Sequence, residues 1–184
     1  MPTSSSTGPA SHSPTTRPAP SQAPVPPESN PPGDIPDTTV FVPYHSAAGG
    51  FTIRVPEGWA RSTSRGSVSF VNNLNSITIR WIRVASPPTP ASARSVDVPE
   101  LRTAELAFRL KSISGTTLHG QRAVLIVYES NSKPNPVTGK QYRLVVERFE
   151  LFHRGEEAIL SLSSPVGADN VDPWRTVSES FSWS

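Results

Sequence analysis

The chain has 184 residues, carries a formal net charge of +2 and contains no cysteine. The lack of cysteine excludes thiol catalysis, thiolate-bound zinc and iron–sulfur clusters. The longest unbroken apolar run, residues 123–128, is far shorter than the ~20 residues that a membrane-spanning helix needs, so no membrane span is predicted.

Residues 1–40 are predicted to form a disordered tether rich in proline, serine and threonine. Eleven of the 21 prolines lie in residues 1–39, where Val25 and Ile35 are the larger apolar residues apart from Met1. Such a segment cannot bury enough apolar surface to offset its chain entropy. We expect a spacer between a membrane anchor and a domain outside the cytoplasm. A docking ligand for another protein and a plain flexible terminus are the alternatives.

The start of the chain does not resemble a signal peptide. Met1 is followed by Pro-Thr-Ser-Ser, which lacks the basic start and the apolar middle of such a segment. If the protein is exported, we therefore expect its signal or anchor to lie upstream of these residues. Contact with a membrane is expected through that anchor only.

Residues 41–184 are predicted to fold as one domain. Its first part reads as an antiparallel meander of three strands over residues 51–55, 68–71 and 77–84. Apolar and polar residues alternate in the first strand, which puts Phe51 and every second residue after it on one face.

The segment that follows is predicted to be an amphipathic helix. Asp97 and Glu100 have the spacing of a capping box, and the helix is expected to end near Gly115. The apolar residues at helical spacing are Leu101, Ala104, Leu106, Phe108, Leu110 and Ile113.

Three further strands are predicted over residues 121–130, 142–153 and 158–163, with no helix between them, so the sheet is expected to be antiparallel. A final helix is predicted near the C-terminus, with Pro173 in its first turn and Asn170 or Asp172 as its cap. Its helical spacing is carried by Val171, Trp174, Val177, Ser178 and Phe181. The predicted fold class is α+β: an antiparallel sheet of about six strands sandwiched by helices.

No catalytic residue, cofactor site or metal site is assigned. The four histidines lack the close spacing of metal ligands on a helix. Residues 169–172 fail the calcium-loop pattern at Val171, and residues 138–140 lack the first glycine and the final hydroxyl of a phosphate-binding loop. The sequence also contains no Gly-x-Ser-x-Gly motif for a nucleophilic serine.

Four arginines on predicted strands form a candidate basic surface patch for an anionic polymer or a lipid surface: Arg54, Arg80, Arg143 and Arg148. The alternative is an exposed polar face on which arginines form cross-strand pairs with Glu147 or Glu150. Residues 41–184 hold 16 basic and 12 acidic side chains, which is too mild and scattered a charge for a nucleic-acid partner.

Two motifs resemble those of PsbP-like proteins. The sequence from Gly50 to Trp59, Gly-Phe-Thr-Ile-Arg-Val-Pro-Glu-Gly-Trp, is similar to the opening motif of that family. The sequence Val-Ser-Glu-Ser-Phe at residues 177–181 is similar to its closing motif. The resemblance covers about residues 49–183 and implies an α/β/α sandwich in which Trp59, Trp174 and Phe181 are packed in the core.

In particular, the chain resembles exported actinobacterial domains of this fold. Such domains occur in lipoproteins and as outer domains of membrane proteins, behind a Pro/Ser/Thr-rich linker. The resemblance implies a non-enzymatic role in binding, sensing or assembly, with an unknown protein or a cell-envelope ligand as partner. A structural subunit that docks on another protein and a hydrolase of cell-wall material are the alternatives.

Overall fold

Ten strands and a few short helices make up the structure, a computed structural model that describes residues 23–184. The strands are β1 (Phe41–Ser46), β2 (Phe51–Pro56), β3 (Ala60–Ser64), β4 (Ser67–Asn72), β5 (Asn75–Arg83), β6 (Arg109–Leu118), β7 (Gln121–Asn131), β8 (Arg143–His153), β9 (Glu156–Pro165) and β10 (Ser182–Trp183). The helices are α1 (Pro90–Ser92), α2 (Val98–Ala104) and α3 (Val171–Glu179), and a π-helical stretch (Ala93–Asp97) joins α1 to α2.

The strands form two antiparallel sheets. Seven strands make the main sheet in the order β3-β4-β5-β9-β8-β7-β6, and β2 pairs with β1 and β10 in a sheet of three. The predicted α+β class and antiparallel pairing are confirmed. The main sheet has seven strands where about six were predicted, because β3 and β6 were not expected and β2 lies in the small sheet with the unexpected β1 and β10.

One face of the main sheet, here called the core face, packs against α3 and the small sheet. Its centre is an aromatic stack in which the rings of Phe51 and Phe181 lie 5.5 Å apart at 25°. The ring of Trp81 meets Phe51 edge-on at 5.7 Å, and Trp59 meets Trp174 edge-on at 6.3 Å. Phe51 and Trp59 of the opening motif and Phe181 of the closing motif therefore stabilise the fold through their ring contacts.

The opposite face of the main sheet, here called the helix face, is partly covered by the helical segment 90–104. Ala93 and Leu101 from that segment pack with Val124, Ile126 and Val146 of the sheet, and all five residues are buried. Helices or a small sheet thus cover both faces of the main sheet, as the sandwich prediction requires.

The helix predicted to run to Gly115 is wrong in its second half. The helical segment ends at Ala104, and Arg109–Leu118 is strand β6. A β-bulge shifts the register between Leu110 and Ser112, so Leu110 and Ile113 face the same side although they lie three residues apart. Three-residue spacing on one face is also the mark of a helix, which explains the misreading.

The start of the helical segment also differs from the prediction. The capping box is formed by Thr89 and Ser92, whose side chains accept from each other's backbone N–H at 3.0 and 2.8 Å. Asp97 makes no cap hydrogen bond. Its carboxylate instead accepts a hydrogen bond from Arg148 on β8.

The final helix lies where it was predicted, over Val171–Glu179, with Asn170 at its N-cap position. The Asn170 side chain does not cap this helix. It bonds to the segment before β1: Oδ1 accepts from the N–H of Ile35 at 2.8 Å, and Nδ2 donates to the carbonyl of Gly33 at 2.9 Å.

Residues 23–40 lie against the domain, although they were expected to belong to the tether. Ile35 is 5% exposed and joins the main core. Further along, the N–H of Val25 donates to Asn131 Oδ1 at 3.1 Å, and Glu28 forms an ion pair with Lys140. The predicted domain boundary at residue 40 therefore does not match the contacts. The rest of the predicted tether, residues 1–22, lies outside the described residues.

Candidate binding groove on the helix face

An open groove lies at one end of the helix face, between the loop before α1 and the ends of strands β6, β7 and β8. Its volume is about 1000 Å³. One side is contributed by Pro87 and Pro88 of the loop and by Pro90 at the start of α1, and the strands contribute Val124 and Phe152. We call this feature the proline-walled groove. Its size and apolar lining suit a small organic ligand.

Gln121 lies at the edge of the groove, and its Oε1 atom is buried and receives no hydrogen bond within residues 23–184. Gln121 pairs with Leu118 and shares the strand face of Ala123 and Leu125, which pack in the main core. Its side chain therefore lies on the core face and not in the groove. An unsatisfied buried carbonyl oxygen costs about 1–3 kcal/mol.

Gly115 keeps the floor of the groove open. It lies in the interior of β6, opposite Val124, where glycine is unfavourable because it adds no side-chain packing. Its backbone does not need glycine, since its φ lies outside the left-handed region, and an added Cβ would have no atom within 4 Å. Neither backbone strain nor tight packing accounts for this glycine, whereas a ligand that approaches the strand would.

The rim of the groove is cationic. Arg122 lines it and is exposed, and none of the residues that line it is acidic. Arg122 forms no ion pair with any residue in the described part of the chain. The groove therefore favours a ligand that carries negative charge.

A second groove of about 820 Å³ lies at the other end of the helix face, beyond the end of α2. Hydroxyl groups dominate the sheet residues that line it: Ser76, Thr78, Ser130, Ser161 and Ser163. Burial and the nearby carboxylate of Glu105 raise the pKa of Tyr128 above its usual range.

A buried charged cluster lies beneath the helical segment. Arg148 donates to Glu150 Oε1 at 2.9 Å and to Asp97 Oδ1 at 2.7 Å. Glu150 is 0% exposed, and its Oε2 has no hydrogen-bond partner within residues 23–184. Burial raises the pKa of the Glu150 carboxyl to about 7; Arg148 opposes this shift, and the charge of Asp97 adds to it. The cluster connects the helical segment to the sheet through the ion pair between Asp97 and Arg148.

The four arginines of the predicted patch do not share one exposed surface. Arg143 is 4% exposed and donates to the carbonyl of Ala107 at 2.9 Å and to Asn131 Oδ1 at 3.1 Å. Arg148 is buried in the charged cluster. Arg54 and Arg80 are exposed, but they lie on β2 and β5 in different sheets. Arg148 does pair with Glu150, but the two lie on the same strand, β8, and not across two strands as in the alternative, and the pair is buried.

The histidines are dispersed across the fold. His45 bonds to Thr52 Oγ1 at 3.2 Å, His119 lies in a turn with φ of 47°, and His153 stacks on Trp183 at 5.7 Å. His12 lies outside the described residues. Within residues 23–184, no three histidine or acidic side chains are close enough to hold a metal ion.

The sequence did not point to the groove. Gly115 was taken as the end of a helix, and Gln121 and Arg122 as ordinary strand residues. A glycine inside an alternating strand was the available signal, but the bulge between Leu110 and Ser112 concealed the strand.

None of the helices in the described residues is long and apolar enough to cross a membrane.

Several solved structures are similar to this chain. CyanoP, the PsbP of the cyanobacterium Synechocystis, matches at 16% identity with a TM-score of 0.55, over 84% of this chain and 100% of its own. The Ran-binding protein Mog1p of Saccharomyces cerevisiae matches at 11% identity with a TM-score of 0.53, over 79% of this chain and 96% of its own.

A protein of Bacteroides thetaiotaomicron matches at 13% identity with a TM-score of 0.52, over 77% of this chain. The match spans only 48% of that longer protein. The sequence matches no protein-family model and no curated protein. The structural similarities show the fold alone: the chain has a PsbP-like α+β fold.

Proposed function

We propose that this chain is a non-catalytic binding module that works outside the cytoplasm, held near a membrane by the proline-rich segment at its start. The observation that carries the proposal is the proline-walled groove, which combines apolar walls, an open glycine floor and an arginine on its rim. These are the features of a ligand site.

The composition of the first residues supports the location. Residues 1–22 are rich in proline, serine and threonine, as expected of a linker that spaces a domain from an anchor. Proline-rich linkers span about 3.1 Å per residue where extended, so this segment would hold the domain on the order of 70 Å from its anchor. Residues 23–40 add no reach, because they lie on the domain.

The fold is compatible with a binding role. Mog1p, which shares it, is described as a Ran-binding protein. A shared fold does not transfer a partner, so the groove of this chain has to define its own ligand.

The location can be tested in the organism that encodes the chain. The full gene, with a tag after Ser184, is expressed there, and a protease is added to intact cells. We expect digestion of the tagged domain while a cytosolic marker survives. Protection of the domain until the cells are lysed would contradict the proposed location.

Binding can be tested by native mass spectrometry of the protein purified from the same cells. We expect a bound small molecule that is present on the wild type and lost from Gly115→Trp, whose side chain would fill the groove. The matched control is Ser114→Trp, because Ser114 is exposed on the same strand and does not line the groove. Equal occupancy of both variants, or chemical conversion of the bound molecule, would contradict a binding module that uses this groove.

A further inference from the structure

We propose that the surface around Asn131 recognises an extended, proline-rich peptide of a partner protein, and that residues 23–32 of this chain occupy the surface as an intramolecular ligand. We call residues 23–32 the strap. The surface lies at one end of the main sheet, where β7 ends at Asn131 and β8 begins at Arg143. The proposal goes beyond the proposed function, because it does not involve the proline-walled groove.

The strap contacts the domain with every third residue. Val25, Glu28 and Pro31 are half-buried, whereas the residues between them are exposed. A spacing of three residues is that of a polyproline II helix, which has three residues per turn. Residues 24–28 belong to no helix, strand or turn, and five of the ten residues of the strap are proline. The strap therefore lies on the domain as one face of an extended, proline-rich peptide.

Asn131 binds the backbone of the strap at two points. Its Nδ2 donates to the carbonyl of Ala23 at 2.8 Å, and its Oδ1 accepts from the N–H of Val25 at 3.1 Å. The polyproline II backbone forms no internal hydrogen bonds, so these groups are available to a side chain. Val25 has the only N–H among residues 24–27, since the other three are proline. Because Asn131 bonds to backbone groups, a peptide from another chain can make the same two bonds.

The domain itself holds Asn131 in the orientation that the peptide needs. Arg143 Nη1 donates to Asn131 Oδ1 at 3.1 Å and to the carbonyl of Ala107 at 2.9 Å. Asn131 and Arg143 are each 4% exposed. A reversed amide would place its NH₂ group against the guanidinium N–H, and two donors cannot bond to each other. The site is therefore preorganised for an extended backbone.

Two further contacts select the side chains of the peptide. The carboxylate of Glu28 forms an ion pair with Lys140, whose ammonium lies 4.5 Å from the centre of the Tyr142 ring. Pro31 lies beside Gly167, where an added Cβ would be 3.4 Å from the Cγ of the proline. The site thus fits a peptide that carries an acid three residues after its backbone contact and a proline three residues after the acid.

The strap can detach without disturbing the core. None of residues 23–32 belongs to the buried core in the described part of the chain. Gly33 and Ile35, which follow the strap, are held by their own bonds to Asn170. The strap itself is held by two backbone hydrogen bonds and a solvent-exposed ion pair, which are weak contacts. A partner peptide with the same spacing can therefore compete with it.

The experiment uses the full chain with the strap released. Val25→Pro removes the N–H that bonds to Asn131, and Glu28→Gln removes the charge that pairs with Lys140. An acetylated, fluorescent peptide with the wild-type sequence of residues 23–32 is titrated with wild type and with this double variant, and binding is measured by fluorescence anisotropy. We expect the double variant to bind the peptide at least about tenfold more tightly, because the strap of the wild type occupies the site.

Changes in the peptide and at Lys140 locate the binding. A peptide with Val25→Pro should bind the double variant about tenfold more weakly, and a control peptide with Ser29→Ala, an exposed position, should bind as the wild-type peptide does. Lys140→Glu, added to the double variant, should weaken the wild-type peptide about two- to fivefold and restore binding of a peptide with Glu28→Lys. Lys140 is 50% exposed, so this change should leave the fold intact, which thermal unfolding verifies.

Three results would overturn the proposal. The first is equal binding of the peptide by wild type and the double variant. The second is equal binding of the wild-type and Val25→Pro peptides, or no restoration when the charges of Glu28 and Lys140 are exchanged, since the peptide would then bind elsewhere. The third is a dimer in a mixture of wild type and the double variant, measured by sedimentation, because a second copy of this chain would then supply the peptide.

Discussion

Asn170 accepts a hydrogen bond from the backbone N–H of Ile35 at 2.8 Å, and this bond fastens the segment before β1 to the start of the last helix. Asn170 is 2% exposed and also donates to Gly33 and Asn75. In Asn170→Ala the N–H of Ile35, the carbonyl of Gly33 and Oδ1 of Asn75 each lose a hydrogen-bond partner in a buried setting. We expect the free energy of unfolding to fall by about 2–4 kcal/mol, measured by urea denaturation. Asn72→Ala, an exposed control, should change it by less than about 0.5 kcal/mol.

Truncation tests the contribution of residues 23–40. Removal of residues 1–22 breaks none of the contacts described above, so we expect an unchanged urea midpoint. Removal of residues 1–40 also deletes the buried Ile35 and leaves Asn75 and Asn170 without their bonds to Gly33. We expect this longer deletion to cost several kcal/mol, about 2–5 of them from the Ile35 side chain alone. Coincident unfolding curves for the two truncated chains would show that the segment does not stabilise the domain.

The sequence predicted most strands and the last helix because their signals are local. In Val171–Glu179 the helical spacing and the proline in the first turn agree. The prediction from the sequence was wrong where one extra residue changed the spacing of the apolar side chains. The bulge after Leu110 gives strand β6 the three-residue spacing that is typical of a helix. It also failed for Ile35, whose burial depends on contacts with residues more than a hundred positions away.

The charged residues show the same limit. Alternation along β8 correctly separates Arg148 and Glu150 from Phe149. Alternation does not predict that the helical segment 90–104 covers the face of Arg148 and Glu150. Because the segment covers this face, the two residues form a buried cluster and not a surface pair. The groove was missed for a related reason, since its walls come from a loop and three strands that are distant in sequence.

The buried cluster should make the domain less stable as the pH rises. Burial raises the pKa of Glu150 from 4.5 to about 7, so the folded state holds a proton that the unfolded state releases above pH 4.5. The contribution is complete below the unfolded pKa and is lost as the pH rises through the folded pKa. We expect Glu150→Gln, which cannot ionise, to be the more stable protein at about pH 8, by up to about 3 kcal/mol.

Urea denaturation at about pH 5 and about pH 8 measures this effect. The difference between wild type and Glu150→Gln should shrink or reverse at the lower pH. Glu100→Gln is the matched control, because Glu100 is exposed on α2 and lies outside the cluster. An equal pH dependence in wild type and Glu150→Gln would contradict the assignment of the titration to Glu150.

Arg148 should be essential to the cluster only while its acids remain. In Arg148→Met at about pH 8, Asp97 and the ionised Glu150 lose their shared cation, and an unpaired buried charge costs about 3–5 kcal/mol. In the double variant with Glu150→Leu the buried carboxylate is gone, and well-packed apolar residues can replace a buried ion pair at little cost. We expect the double variant to recover most of the loss in a denaturation cycle. A double variant as unstable as the sum of the two single ones would show that the residues act independently.

Two glycines should respond in opposite directions to the same substitution. In Gly49→Ala the new Cβ would lie 2.4 Å and 2.7 Å from ring atoms of Phe51, which is 0% exposed and stacked on Phe181. The ring cannot move away, so we expect a loss of about 1–3 kcal/mol.

In Gly115→Ala the new Cβ has no atom within 4 Å, so the substitution introduces no clash. Alanine restricts the unfolded chain more than glycine does, and we expect a gain of about 0.5–1 kcal/mol. Urea midpoints of the two variants beside wild type measure both effects. Destabilisation by Gly115→Ala would mean that the strand itself needs this glycine, and the floor of the groove would then be open for a structural reason instead of a ligand.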